Sequence, residues 1–328
     1  MPAPGVEAGA LERGFERTFV PSSEFGDVLV GVTAARRLLR CDHTGIAALL
    51  AAGLPTFGAD GESFRRSDIL NVGLYSGSGR TIPEIAEAHR IRFATGPRTS
   101  WTEARAWDVA FDLRCARGCD GGSWLLRRPS PERFGGSVRE WPATPVHSRS
   151  PLRLEASVVV TGSEDAVESE DARRLFVELV DDLVSERIRY QYLPPGLRRE
   201  PETAAANRVL DCMAASLLLE RRCRNLGLPT RTRKGLLLGA ASVEHVWLEL
   251  PGVAGEWAPL DPVLAALVAR SGDGEGFARF ACGSASNRLL PWELGAAREL
   301  AGHSCPDRGE LARAEDLMMT VSARPLAT

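Results

Sequence analysis

Asp211-Cys212-Met213-Ala214, Gly227-Leu228-Pro229-Thr230-Arg231, Gly235, His245-Val246-Trp247-Leu248-Glu249 and Trp257…Asp261-Pro262 follow one another within residues 211–262 of this 328-residue chain. The stretch offers a cysteine, a histidine and an aspartate in the chain order of a Cys-His-Asp acyl-transfer site. A thiol nucleophile needs a base, and the base needs a carboxylate to orient it. His245 follows Cys212 by 33 residues and Asp261 follows His245 by 16. That is enough chain for a helix, a return strand and a neighbouring strand.

Local chemistry supports that arrangement. Asp211 is a good helix N-cap ahead of the apolar residues Met213, Ala214, Ala215, Leu217, Leu218 and Leu219. Gly227 and Pro229 form a stop signal. The spacing predicts a helix from about Cys212 to Asn225, with Cys212 in its first turn. Unsatisfied N–H groups and the positive end of the helix dipole favour an anion there, and the same N–H groups suit a tetrahedral oxyanion. Thr230–Leu238 and Glu244–Leu250 read as strands. The second alternates, with His245, Trp247 and Glu249 on one face. A short run, Glu256–Leu260, ends at Asp261, and Pro262 stops the ladder because it lacks an N–H. Antiparallel pairing of these strands brings Asp261 beside His245. An aspartate that accepts one imidazole N–H leaves the other ring nitrogen to take the thiol proton.

Singly, a cysteine is most often a small buried hydrophobe, so the reading rests on three residues with compatible local structure. Other Cys/His groupings lack this. Cys41-Asp42-His43 and His303-Ser304-Cys305 each hold both residues in one short run. Cys115 and Cys119 have the spacing of half a zinc site, yet Cys282, His303 and Cys305 form no second recognisable knuckle. The expectation is therefore no metal and no cofactor. Gly73-Leu74-Tyr75-Ser76-Gly77-Ser78-Gly79-Arg80-Thr81 invites a phosphate-loop reading. Arg80 stands where that loop needs lysine, and Leu74 where it needs its first glycine. Thr81-Ile82-Pro83-Glu84 reads instead as a capping box opening a helix.

On these residues the chain resembles the transglutaminase-like superfamily of papain-type cysteine enzymes. The family pattern runs Gly-Asp-Cys, Gly-Ile-Pro-Ala-Arg, glycine, His-Ala-Trp-Val-Glu, Trp…Asp-Pro. The matching residues here are Asp211-Cys212, Gly227 to Arg231, Gly235, His245 to Glu249, and Trp257 with Asp261-Pro262. Ile188-Arg189-Tyr190, after a long helix, also fits. Leu210 stands where many members carry glycine, which bears on how substrate approaches Cys212. The resemblance covers about residues 150–265. It implies an α+β, papain-like core in which the Cys-bearing helix packs on an antiparallel sheet. It also implies Cys212 as nucleophile, His245 as base and Asp261 as orienting carboxylate. Relatives include protein cross-linkers, peptidases, amidases and amide-forming acyltransferases of antibiotic pathways.

The expected activity is thiol acyl transfer. The favoured form is a small-molecule amide synthase of a bacterial biosynthetic pathway, taking an acyl donor such as a carrier-protein thioester and an amine acceptor. A cysteine hydrolase, peptidase or amidase, uses the same triad with water. A non-catalytic interaction module is the third reading, and the complete triad counts against it. Charged residues make up 25% of the chain and net charge is −3, so no broad nucleic-acid footprint exists. Lys234 is the one lysine, which leaves almost no side-chain amine for self-acylation. No basic n-region precedes an apolar stretch at Met1-Pro2-Ala3-Pro4-Gly5, and no apolar run is long enough for a membrane span. Seven cysteines without a secretory context read as reduced and cytoplasmic.

For organisation, residues 1–128 form an additional N-terminal α/β region of unspecified fold. The Pro- and Gly-rich stretch 129–151 reads as a linker. Residues 152–328 form the catalytic domain, with its core at 152–265. Leu152–Val160 alternates as a strand, and Ser169 caps a helix running to about Arg187. Gly31–Ala52 has helical apolar spacing, and Thr203 is placed to cap a short helix before Asp211.

Overall fold

The computed structural model describes residues 5–58, 61–115, 119, 121–239, 242–272, 275–305 and 317–326. Met1–Pro4, read above, and residues 116–118, between Cys115 and Cys119, lie outside these residues. The chain begins α1 (Ala8–Glu16), β1 (Leu29–Gly31), α2 (Val32–Leu39), α3 (His43–Ala51), β2 (Ser63–Arg65), α4 (Arg66–Leu74) and α5 (Ile82–Ile91). It continues α6 (Thr99–Thr102), β3 (Arg105–Cys115), β4 (Ser123–Leu126), β5 (Ser137–Glu140), β6 (Val146–His147), β7 (Leu152–Val160) and α7 (Glu170–Val184). Then come β8 (Arg189–Tyr190), α8 (Pro201–Ala206), β9 (Val209–Leu210), α9 (Cys212–Asn225), β10 (Arg231–Leu237), β11 (Val243–Pro251) and β12 (Trp257–Leu260). The last elements are α10 (Pro262–Arg270), α11 (Glu275–Phe280), β13 (Leu289–Pro291), β14 (Ala301–Ser304) and β15 (Leu317–Pro325). The class is α+β: helices with sheets that are almost wholly antiparallel. Among the described residues no helix is long and apolar enough to cross a membrane.

The chain divides into two compact units. The first comprises residues 1–89 and 186–214, and the second residues 90–185 and 215–328. In the first, α1, α2, α3 and α4 enclose a core that includes Leu11, Leu39, Ile46, Leu49, Phe64, Ile69 and Val72. The helical spacing over 31–52 resolves into two helices. Arg40 ends α2 in the left-handed region (φ 53), and Asp42 caps α3 by accepting from Thr44 and Gly45 N–H. The glycine-rich loop 73–81 is closed by Glu84, which accepts from the Ser76, Ser78 and Thr81 hydroxyls and from the Arg80 and Thr81 N–H groups. Glu84 N–H donates back to Thr81 Oγ1, completing the capping box. The Arg80 and Thr81 N–H groups of the loop are thus turned to the Glu84 carboxylate.

In the second unit β15, β3, β7 and β5 form one antiparallel sheet, β14, β4 and β6 another, and β12, β11, β10 and β13 a third. Trp107, Phe111, Trp124, Leu236, Leu290 and Trp292 belong to one apolar core shared by all three. Residues 129–151 are not a linker. They carry β5, which pairs with β7, and β6, which pairs with β4. Both are sheet-edge strands, and Pro129, Pro131, Pro142, Pro145 and Pro151 all lie outside them, so no ladder N–H is lost. Ser169 caps α7 through Ala172 N–H as expected. Thr203 lies inside α8, whose first residue is Pro201.

Candidate active site

In the first unit the start of α9 is positioned by a two-strand parallel ladder. β8 pairs with β9, Tyr190 opposite Leu210, and Gln191 N–H donates to Leu210 O at 3.0 Å. The Ile-Arg-Tyr run therefore holds the residues that lead into Cys212. Asp211 Oδ1 accepts from Ala214 N–H at 2.8 Å and its Oδ2 lies 3.0 Å from Arg198 Nε. One carboxylate caps the helix and is itself pinned by a guanidinium. Cys212 is the first residue of α9 and is half-buried, while Leu210 is fully buried. The Gln191 and Asn207 side chains, next to β8 and β9 in the chain, make hydrogen bonds of their own. Gln191 accepts from Phe19 N–H and donates to Arg17 O, and Asn207 donates to Thr203 O.

In the second unit α9 is fastened to the third sheet. Ser216, one turn beyond Cys212, donates its hydroxyl to Val246 O at 3.0 Å. Glu220 accepts from the Thr232 N–H, and burial raises its carboxyl above the usual range despite Arg224. β10 and β11 pair with Gly235 opposite His245 and Arg231 opposite Glu249. β11 and β12 pair from Pro251 opposite Trp257 to Leu248 opposite Leu260. One step further, Asp261 lies diagonal to His245. The two side chains meet there: His245 Nε2 is 2.5 Å from Asp261 Oδ2, both residues buried. The second oxygen of Asp261 accepts from Leu264 N–H at 3.0 Å and caps α10. Donation from Nε2–H to Asp261 selects the tautomer whose lone pair is on Nδ1.

The remaining motif residues build the wall around that pair. The Trp247 ring lies beside His245, 6.4 Å between centroids and 23° from parallel, and its indole N–H donates to Glu249 Oε1 at 3.1 Å. Glu249 is fully buried. It takes two hydrogen bonds from Arg133, at 2.7 and 2.8 Å, and one from Arg231 at 2.8 Å. Arg233 stands 3.7 Å away, its guanidinium pKa lowered by burial and by the neighbouring Arg231. Gly235 has a steric reason: a Cβ there would sit 2.3 Å from Leu290 O and 2.8 Å from the Trp247 ring. Arg133 is the residue that sequence reading missed. It is 116 residues from Glu249 in the stretch read as a linker, and no local signal connects them.

His245 and Asp261 are thus brought together in the second unit, and Cys212 opens α9 in the first. Residues 160–262 match the family model described as the transglutaminase-like superfamily. This segment is similar to a transglutaminase-like core. It runs from the end of β7 through α9 to Pro262, so it holds Cys212, His245 and Asp261 together with the Trp247 and Glu249 wall. The likeness to this superfamily is confined to that segment, and it supports a cysteine-enzyme reading of the residues it spans. Among solved structures, a proposed cysteine protease from Cytophaga hutchinsonii is similar at 13% identity and a TM-score of 0.38, over 69% of this chain and 92% of that one. So distant a likeness carries no chemistry. A comparison with curated proteins finds no match.

Proposed function

We propose that the chain is a thiol acyltransferase that forms an amide through an acyl-enzyme on Cys212, acting on a small-molecule thioester donor and a primary amine. The observation that carries this reading is the buried His245–Asp261 pair within the transglutaminase-like core. A histidine held by Nε2 to a carboxylate is oriented for proton transfer at Nδ1. In the first half-reaction Nδ1 takes the Cys212 thiol proton and sulfur attacks the acyl carbonyl. The donor's thiolate leaves with that proton. In the second, the amine attacks the thioester, gives its proton to Nδ1, and Cys212 departs as the thiol. Lys234 is buried at 2% exposure between Glu244 and Glu299. The one lysine of the chain is therefore no acceptor, which favours an amine from outside.

Intact mass after mixing with a panel of acyl thioesters tests the proposal, with Cys212→Ala as control. The expected result is a mass gain that the variant lacks and that added amines discharge faster than water. Release of free acid alone, whatever amine is present, would overturn the transferase reading in favour of a hydrolase. An unmodified Cys212 in folded protein would overturn both.

A further inference from the structure

Cys115 closes β3 and Cys119 stands in the connection to β4; His303 lies in β14 and Cys305 follows it. The two pairs come from segments 184 residues apart. One donor atom from each of the four lies within 4.8 Å of every other, and all four residues are buried. Cys119 Sγ is 3.0 Å from His303 Nε2. Tetrahedral zinc holds sulfur at ~2.3 Å and imidazole nitrogen at ~2.0–2.1 Å, which separates neighbouring donors by about 3.5–3.8 Å. The cluster already has that size within shifts of about 1 Å.

The surroundings fix the donors. The His303 ring stacks on Trp124, 3.9 Å between centroids and 23° from parallel. Gly122, at φ +147, lets the backbone pass, since a Cβ there would lie 2.4 Å from His303 Cε1 and 2.6 Å from Ser304 O. Buried thiols alone suit an apolar core. An imidazole nitrogen aimed among three of them does not, and it completes a soft donor set that selects zinc over hard cations.

We propose that Cys115, Cys119, His303 and Cys305 bind one Zn2+ as a structural site. Four protein donors leave no coordination position for water or substrate, so the ion does no chemistry on a substrate. Binding replaces three thiol protons, which pass to solvent, and no electron moves. The ion ties the end of β3, in the sheet β15-β3-β7-β5, to the end of β14, in the sheet β14-β4-β6. None of the four residues belongs to the proposed acyl-transfer chemistry, so the two readings stand or fall separately.

The test is elemental analysis of the full chain, purified under reducing conditions and passed through a chelating buffer, followed by Co2+ exchange. The expected result is one zinc per chain, and a cobalt form with thiolate-to-metal charge transfer and tetrahedral ligand-field absorption. Cys119→Ser and Cys305→Ser lose the metal, whereas Cys212→Ala and Cys282→Ser keep it. Folded wild-type protein without stoichiometric zinc and without uptake of Co2+ overturns the site. So does a disulfide among the three cysteines in the reduced preparation. Where a serine variant does not fold, the wild-type stoichiometry and cobalt spectrum decide.

Discussion

Asp261→Asn separates the two tasks of one carboxylate. In the wild type Oδ1 takes the Leu264 N–H and Oδ2 takes the His245 Nε2–H. An amide has one oxygen for these two donors. If it faces His245, the amide N–H2 confronts the Leu264 N–H and the α10 cap is lost, at about 1 kcal/mol. If it faces Leu264, the cap survives and the N–H2 meets Nε2, which must then accept. The imidazole proton moves to Nδ1 to allow this, and the ring loses its base at that nitrogen. The second arrangement satisfies every group, so it prevails. Stability then changes by no more than about 1 kcal/mol, while acylation falls by a factor on the order of 10³–10⁴, the scale seen where a triad histidine is held in the wrong tautomer. Urea unfolding and the initial rate of acyl-enzyme formation by intact mass measure the two effects. Asp261→Ala distinguishes them further. It loses the cap and leaves a buried N–H without an acceptor, roughly 2–4 kcal/mol together. Wild-type acylation in Asp261→Asn would refute the tautomer argument, as would a loss of several kcal/mol in stability.

Three further outcomes are expected. Asp68 is fully buried in α4, and burial, opposed by the nearby Arg65, pushes its pKa up to about 7 from an ordinary 3.8. The folded value lies above the unfolded one, so the contribution of Asp68 to stability is fullest below pH 4, falls as pH rises from about 4 to 7, and levels above that. The loss is up to roughly 4 kcal/mol, and Asp68→Asn should remove this slope in urea titrations at a series of pH values. Gly235→Ala forces a methyl against Leu290 O and the Trp247 ring; a loss of about 1–3 kcal/mol or more is expected by chemical denaturation. Glu249→Gln keeps an acceptor for Trp247 but strips the counter-charge from Arg133 and Arg231. It should cost about 3–5 kcal/mol, read from the same denaturation curves.

What could be read from the sequence was what local chemistry writes. α9 runs from Cys212 to Asn225 because Asp211 and Gly227 bound it, and β7 covers the alternating Leu152–Val160. The His245–Asp261 meeting followed from two strands and a proline that ends one of them. The long-range partners were not legible. β3 pairs with β7 and β15, strands from opposite sides of the transglutaminase-like core. β14 pairs with β4, His303 opposite Trp124, and that pairing brings His303 and Cys305 to the connection that holds Cys119, where spacing alone shows only half a site. Proline in 129–151 suggested a linker because composition does not distinguish an edge strand from a spacer. Arg133 was lost with it. The interleaving of 1–89 with 186–214 likewise leaves no mark in composition.

The burial of Lys234 gives the molecule a built-in clock. Its ammonium lies 3.5 Å from Glu244 and 3.4 Å from Glu299, walled off from bulk reagents. An amine-reactive ester can reach it only when the structure around Glu244 and Glu299 opens. The rate at which that adduct accumulates, read by peptide mass, therefore reports how often this part of the molecule opens. No mutation or attached probe is needed, because the chain has no second lysine to confuse the signal.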